Sequence, residues 1–369
     1  MAQRERMSED ELSTLCAQYI SLAEEYTQGT VAEERSSNVS YYHSDPFGNE
    51  VSGRSSFVTS DVLDTIESMM PDFMEIFAGS AQPCEFSPTG PEDEDAAEQA
   101  TAWCAHVWNV DNDGFMLTYD AIKDALLNKN GFISICPKED EEVKTAFLEN
   151  VNSLGLQQLE ADEEVEIVAA TPKDIPPELA QMIPDGILYD VRIERRQPRK
   201  RLEITVIPPE NMLISPRATG FEQQPMIGAK YEKTVSELLD EGYDEEIVKN
   251  AAGFDEQNYD AEVQARFRDD SVIGMGGFPE TDLTKKAWIY YLFFHADWDN
   301  DGRAEYRQVV CIGPKKEILS NEAVDDHIFV DFTPIRMPHR VFGVAVADLV
   351  RSFQYLRSTV WRQLLDNMY

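Results

Sequence analysis

Long apolar runs are absent from this 369-residue chain, and basic residues and cysteines are scarce. No stretch approaches the roughly eighteen apolar residues that a membrane-spanning helix needs. The N-terminal Met1-Ala-Gln-Arg-Glu-Arg-Met-Ser-Glu-Asp has no apolar core, so the sequence predicts neither a membrane span nor a secretory leader. Only 32 Lys and Arg stand against 69 Asp and Glu, a formal net charge of −37. Such a surface repels phosphate and disfavours tight nonspecific binding to DNA. Two classes of protein survive: one with no role at nucleic acid, and one that must contact DNA without adhering to it. Cys16, Cys84, Cys104, Cys136 and Cys311 are odd in number and scattered, with no Cys-x-x-Cys pair and no histidine at ligand spacing. They read as reduced, mostly buried thiols.

Catalytic constellations are missing too. His43, His106, His295, His327 and His339 are isolated, which leaves no Ser-His-Asp or Cys-His arrangement in sequence. Gly274-Met-Gly276-Gly277 lacks the Lys-Ser/Thr of a phosphate loop and the strand-helix context of a dinucleotide site, and reads as a flexible loop. The expectation is a noncatalytic chain without a cofactor.

What is present is a 42% apolar composition, enough for a sizeable core, in a length that allows two to three domains. A helix is predicted from Ser8, whose hydroxyl caps while Glu11 reaches back, with Leu12, Leu15, Cys16, Tyr19, Ile20 and Tyr26 at helical spacing. Residues 29 to 56 are rich in turn formers and read as irregular. A second helix starts at Thr59 or Ser60 and carries Val62, Ile66, Met69, Phe73, Ile76 and Phe77, with a kink expected at Pro71. Residues 78 to 96 read as a loop, 95 to 109 and 116 to 128 as helices, and Gly131 to Cys136 as a strand. From 164 the period becomes two: Val165 to Val168, then Tyr189, Val191 and Ile193, then Leu202, Ile204 and Val206, the last two sets read as a hairpin turning at Gln197-Pro198. A capped helix is expected at Thr234 to Asn250, and a second hairpin from Ala287–His295 and Tyr306–Ile312. The predicted fold class is α+β: a helical N-terminal region, an antiparallel sheet with hairpins, and a long C-terminal helix.

Asp297-Trp-Asp299-Asn-Asp301-Gly302 matches the first half of a calcium loop, with oxygens at positions one, three and five. Position twelve is Gln308 and the flanks look like strands, so a hairpin turn at Asp-Gly is the better reading. Asn109-Val-Asp111-Asn-Asp113-Gly114, with Asp120 at position twelve, is a weaker match beside the apolar Phe115-Met-Leu. Asp297, Asp299 and Asp301 could alternatively hold magnesium for phosphodiester cleavage.

Arg192, Arg195, Arg196, Arg199, Lys200 and Arg201 form a local inversion of the acidic charge. They read as a docking surface for an acidic neighbouring subunit, or as the solvated face of an exposed hairpin. After Gly343 there is no Gly or Pro, and Val346, Leu349, Val350, Phe353, Leu356, Val360 and Leu364 lay a stripe along one face of a predicted helix. Its length is roughly 40 Å at 1.5 Å per residue. The sequence stops within that helix, which suggests a fragment.

Four motifs, in order, suggest a family: Gly53-Arg-Ser-Ser-Phe-Val-Thr-Ser-Asp-Val62; Asp120-Ala-Ile-Lys-Asp-Ala-Leu126; Val206-Ile-Pro-Pro-Glu-Asn-Met212; and Pro338-His-Arg-Val-Phe-Gly343 followed by Gln363-Leu-Leu-Asp-Asn367. Together they resemble the portal, or head-to-tail connector, proteins of short-tailed double-stranded DNA bacteriophages, of which this would be the N-terminal part. The resemblance implies a ring, usually of twelve subunits, at one capsid vertex of the virion, assembled in the host cytoplasm. A terminase motor would drive DNA in through it, and tail or adaptor proteins would later let the DNA out. It implies a wing over residues 1–340 and the start of a stem helix over 341–369, with clip, second stem helix and crown beyond Tyr369. Val346, Leu349, Phe353, Val360 and Leu364, with Arg351, Arg357 and Arg362, would then face other copies or the channel. The runners-up are a phosphodiesterase using Asp297, Asp299 and Asp301, and another virion structural or scaffold protein.

Overall fold

The computed structural model describes residues 6–162, 165–173, 188–222, 224–253, 261–267 and 281–368. The glycines at 274–277 and Tyr369 lie outside the described residues. The chain is an α+β protein that divides into two compact units. The larger comprises Met1–Asn109, Asp113–Ile135 and Ile204–Tyr369; the smaller comprises Val110–Asn112 and Cys136–Glu203.

In the larger unit α1 (Glu9–Tyr26) starts with a reciprocal cap. The Glu11 N–H donates to Ser8 Oγ at 3.3 Å and the Ser8 N–H donates to Glu11 Oε2 at 3.1 Å. Gly29, with ψ of −129°, leaves helical space and separates α1 from α2 (Ala32–Tyr42). This corrects the expectation of an irregular stretch for residues 32–42, whereas residues 43–56 are irregular as expected. Ser and Asn weaken the local helix signal, but buried tertiary bonds override it. Arg35 donates from Nε to Asn128 O and from Nη1 to Pro209 O, both at 3.1 Å, and Asn38 Nδ2 donates to Leu127 O at 3.0 Å.

Next come α3 (Asp61–Ala78), which runs on through Pro71, then α4 (Glu94–His106) and α5 (Gly114–Asn128). Val62, Ile66 and Met70 of α3 pack on Leu126 and Leu127 of α5. β1 (Gly131–Val151) leaves from Asn130 and is longer than the strand read at 131–136, continuing into the smaller unit.

The smaller unit adds α6 (Ser153–Glu160), β2 (Val165–Lys173) and most of β3 (Leu188–Ile207). The predicted hairpin at Gln197-Pro198 is instead one continuous strand. Residues 188–195 of β3 pair antiparallel with β2 rather than folding back on residues 202–206.

The core of the larger unit is a five-stranded antiparallel sheet in sequence order: β4 (Met212–Ile214), β5 (Met226–Thr234), β6 (Lys286–Ala296), β7 (Glu305–Ile312) and β8 (Glu317–Ala323). Successive side chains of β6 point to opposite faces, and both faces are covered. Tyr290, Leu292 and Phe294 meet Leu12, Cys16 and Ile20 of α1. Ile289 meets Val235 and Leu238 of α7 (Val235–Asp240) and Val248 of α8 (Glu245–Ala251). Coverage on both sides explains why β6 is nearly unbroken apolar sequence. The helix expected over Thr234 to Asn250 starts with the predicted Thr234–Glu237 cap. It is divided because Gly242 adopts φ +86° and the Asp244 carboxylate caps a new helix. After α9 (Ala261–Phe267), β6, β7 and β8 comes β9 (Phe329–Phe332), which pairs with residues 131–134 of β1, and the chain ends in α10 (Val346–Met368). Among the described residues no helix is long and apolar enough to cross a membrane.

Buried charge lies against α5. Arg266 Nη2 is 3.0 Å from Glu210 and 3.8 Å from Asp124, and Arg35 Nη1 is 3.6 Å from Glu262. Burial pushes the Asp124 carboxyl up to about 6 against the pull of Arg266. The folded chain therefore keeps a proton that the unfolded chain releases, and this residue's contribution to stability falls as pH rises from about 4 to 6. Asp124→Asn removes the buried charge. It is expected to be roughly 2–3 kcal/mol more stable than wild type near pH 8, with the difference gone near pH 4. Urea denaturation at the two pH values checks this, and an equal loss of stability at both would contradict it.

Candidate functional site

The end of α5 sets where the terminal helix lies. Lys129 stands at φ +78°, an uncommon conformation for a side chain other than glycine. It is held there by two ion pairs of 2.7 Å each, from Nζ to Glu34 Oε2 of α2 and to Asp348 Oδ2 of α10. The next residue, Asn130, is fully buried and grips the segment that leads into α10. Its Nδ2 donates to Val341 O at 3.0 Å and to Thr333 Oγ1 at 2.8 Å, and its Oδ1 accepts the Gly343 N–H at 3.4 Å. Gly343 is needed because a Cβ there would stand 2.1 Å from Thr333 Cγ2 and 2.6 Å from Ile335 O.

Asp348 is the acceptor at the start of α10. Besides Lys129 it takes Asn38 Nδ2 at 2.9 Å and the Ala345 N–H at 3.0 Å. Burial raises its carboxyl, but the bonds from Lys129, Asn38 and Ala345 outweigh burial and hold it below the usual carboxylate range. Further along, Gln354 is buried and accepts the Val62 N–H at its Oε1 while donating from Nε2 to Tyr41 O, both at 2.9 Å. Ser358 Oγ accepts the Thr59 N–H at 3.0 Å. Arg362 donates to Phe57 O and Glu50 at 2.8 Å and to Asn49 at 2.9 Å, with its guanidinium 4.9 Å from the Phe47 ring centroid.

The inward face of α10 is therefore small and polar: Ala347, Arg351, Gln354, Ser358 and Arg362, at spacings of three and four. The opposite face is apolar and open. Leu349, Phe353, Leu356, Val360 and Leu364 are between 49% and 69% exposed. Of the predicted stripe only Val346 and Val350 pack inward, against the α3–α5 cluster. An amphipathic helix on a monomer normally buries the apolar face; here the polarity is reversed. Arg351, Arg357 and Arg362, expected to face other copies, bind within the chain to Asn38, Asp61 and Glu50 respectively. Sequence reading missed Lys129, Asn130, Asp348, Gln354 and Ser358. For Gln354 and Ser358 the available signal was the second row of polar and small residues opposite the stripe, at the same pitch.

The other candidates serve local structure. Arg195, Arg196, Arg199 and Arg201 pair with Asp162, Glu166, Asp111 and Glu203 at 3.2, 2.9, 2.8 and 4.0 Å, all within the smaller unit, while Arg192 and Lys200 are exposed on the same strand. Asp297 accepts the N–H groups of Asp301 and Gly302, each at 2.9 Å, in the turn joining β6 to β7, and Asp299 pairs with Arg6 at 3.1 Å. Asp113 caps α5 through the Met116 N–H. Among the described residues no three His, Cys, Asp or Glu come together as a metal-holding group. The thiols are less buried than expected: only Cys16 and Cys311 are buried, whereas Cys84 is exposed and Cys104 and Cys136 are intermediate.

Reversed polarity has a direct consequence for stability. Asp348→Ala leaves buried donors on Asn38 and Ala345 without their acceptor, and is expected to cost about 3 kcal/mol in urea denaturation. Leu356→Ala should change stability by less than about 0.5 kcal/mol. The Asp348 contribution is fully present above its ordinary value of 3.8 and is lost as pH falls below that value. A larger loss from Leu356→Ala than from Asp348→Ala would contradict the assignment of faces.

A search of curated proteins finds no match to this chain. The family model described as Phage SU10 portal protein matches residues 12–369, from α1 to the end of α10. That span contains the segment at Gly343 that leads into α10, the polar anchor of α10 and its open apolar face, and the chain belongs to this family of phage portal proteins.

Proposed function

We propose that this chain is a subunit of a ring at one capsid vertex, in which α10 is a stem helix packing obliquely on copies of itself. Residues 1–340 form the wing. A portal is a virion component built as a ring oligomer around DNA, and a ring needs a heterologous contact that closes by rotation. The observation that carries this reading is the apolar face of α10. Its residues are fixed in place by the polar face behind them, yet belong to no buried cluster of the described chain and stand 49% to 69% exposed. Burying one such side chain contributes on the order of 1–2 kcal/mol, so a row of five repeated around a ring is a substantial drive to assemble.

The subunit works by geometry. The ring, expected to hold twelve copies and to assemble in the host cytoplasm, admits DNA driven by a terminase motor and joins the head to tail or adaptor proteins that release it. A chain of net charge −37 lets a polyanion slide, because phosphates held by many cationic contacts would have to be released at every step. The exposed part of the basic strand, Arg192 and Lys200 with its paired arginines, docks on the acidic surface of a neighbouring subunit. No gathered carboxylates favour the phosphodiesterase reading among the described residues.

The test is a Phe353→Glu, Leu356→Glu variant of the full chain compared with wild type by native mass spectrometry and negative-stain microscopy. Rings are expected for wild type, and single chains of unchanged melting temperature for the variant. A variant that forms rings in wild-type yield would remove α10 from the contact.

A further inference from the structure

Two pairs of thiols come together in the larger unit. Cys16 and Cys311 meet inside the core formed by α1 and the five-stranded sheet, closed to reagents. The second pair is at the surface. Cys84 is exposed on the loop from α3 to α4, and Cys104 of α4 is only partly covered. The loop is laid along the helix by two bonds: the Phe86 N–H donates to Thr101 Oγ1 at 3.0 Å, and Asn109 Nδ2 donates to Ala81 O at 2.7 Å. Thr101 and Cys104 lie three residues apart on one helical face. The chain between Ala81 and Phe86 therefore passes Cys104, and Cys84 lies close enough to act on the Cys104 thiol.

We propose that Cys84 and Cys104 form a thiol–disulfide exchange site, which takes a small disulfide such as oxidised glutathione and closes a crosslink between the loop and α4. The exposed Cys84 thiolate attacks one sulfur of the small disulfide. That S–S bond breaks, a bond from Cys84 to one glutathione forms, and the other glutathione leaves as a thiolate that takes up a proton. Cys104 then attacks the Cys84 sulfur and expels the second glutathione, which takes up the second proton. The protein has lost two electrons and two protons, and the small disulfide has gained them. Burial and the neighbouring Cys84 push the Cys104 thiol up, so the closing step speeds up as pH rises. The crosslink adds a covalent hold where packing is thin, since Thr101 is the buried residue of α4. It also fixes the exposed Phe86 and Trp103 relative to each other.

The test incubates the full chain with oxidised glutathione at about pH 7 and about pH 8.5, alkylates the remaining thiols without unfolding, and maps peptides without reduction. The expected product joins Cys84 to Cys104 with the loss of two hydrogen masses, forms several-fold faster at the higher pH, and leaves Cys16 and Cys311 unreacted. Cys104→Ser and Cys104→Ala should each stop at glutathione on Cys84. Stable glutathione on Cys84 of the wild-type chain with no internal link would overturn the proposal, as would a crosslink joining Cys84 to a second copy.

Discussion

The ammonium of Lys129, shared between Glu34 and Asp348 at 2.7 Å each, is the contact on which the helical half of the larger unit depends. It joins α2, the end of α5 and the start of α10 at one point. The largely buried pair of Lys129 with Asp348 is worth having only when both partners are otherwise satisfied. Asp348 meets that condition through Asn38 and the Ala345 N–H. The same pairs hold Lys129 at its positive φ, where the chain turns so that Asn130 can grip the segment at Val341 and Gly343. Turn, segment and helix origin are thus consequences of one charge arrangement.

That arrangement has a functional consequence because hydrogen bonds are directional and apolar burial is not. A helix docked by leucines tolerates rotation about its axis. One docked by Asp348, Gln354, Ser358 and Arg362 has its azimuth fixed, since each must meet a named backbone or side-chain group. Anchoring through polar groups leaves the leucines and Phe353 free to face outward along a defined direction. For the ring subunit proposed above this is a useful division: the fold of one chain sets the angle and leaves the apolar face open for the proposed contact between chains.

Much of this was legible in the sequence where a local signal and a tertiary one agree. The Ser8–Glu11 and Thr234–Glu237 caps, the β6–β7 hairpin with its turn at Asp301-Gly302, and the length of α10 follow from spacing alone. Reading failed where a partner distant in sequence decides the outcome. Residues 32–42 are helical because Arg35 and Asn38 bond to the end of α5, about ninety positions away, which no window of propensity contains. The strand through Gln197-Pro198 stays extended because residues 188–195 find β2. For the candidate site, the stripe on α10 was visible but its direction was not. Periodicity locates two faces of a helix and says nothing about which one its own chain will cover.

The central claim is that α10 is held by its polar face and completed by other copies at its apolar face. Hydroxyl-radical footprinting of single chains and of assembled particles tests it most directly, residue by residue. On assembly, oxidation of Phe353, Leu356 and Leu364 is expected to fall several-fold, while that of the exposed Phe147 in the smaller unit stays unchanged. Equal oxidation of Phe353 and Leu356 in single chains and particles would contradict it.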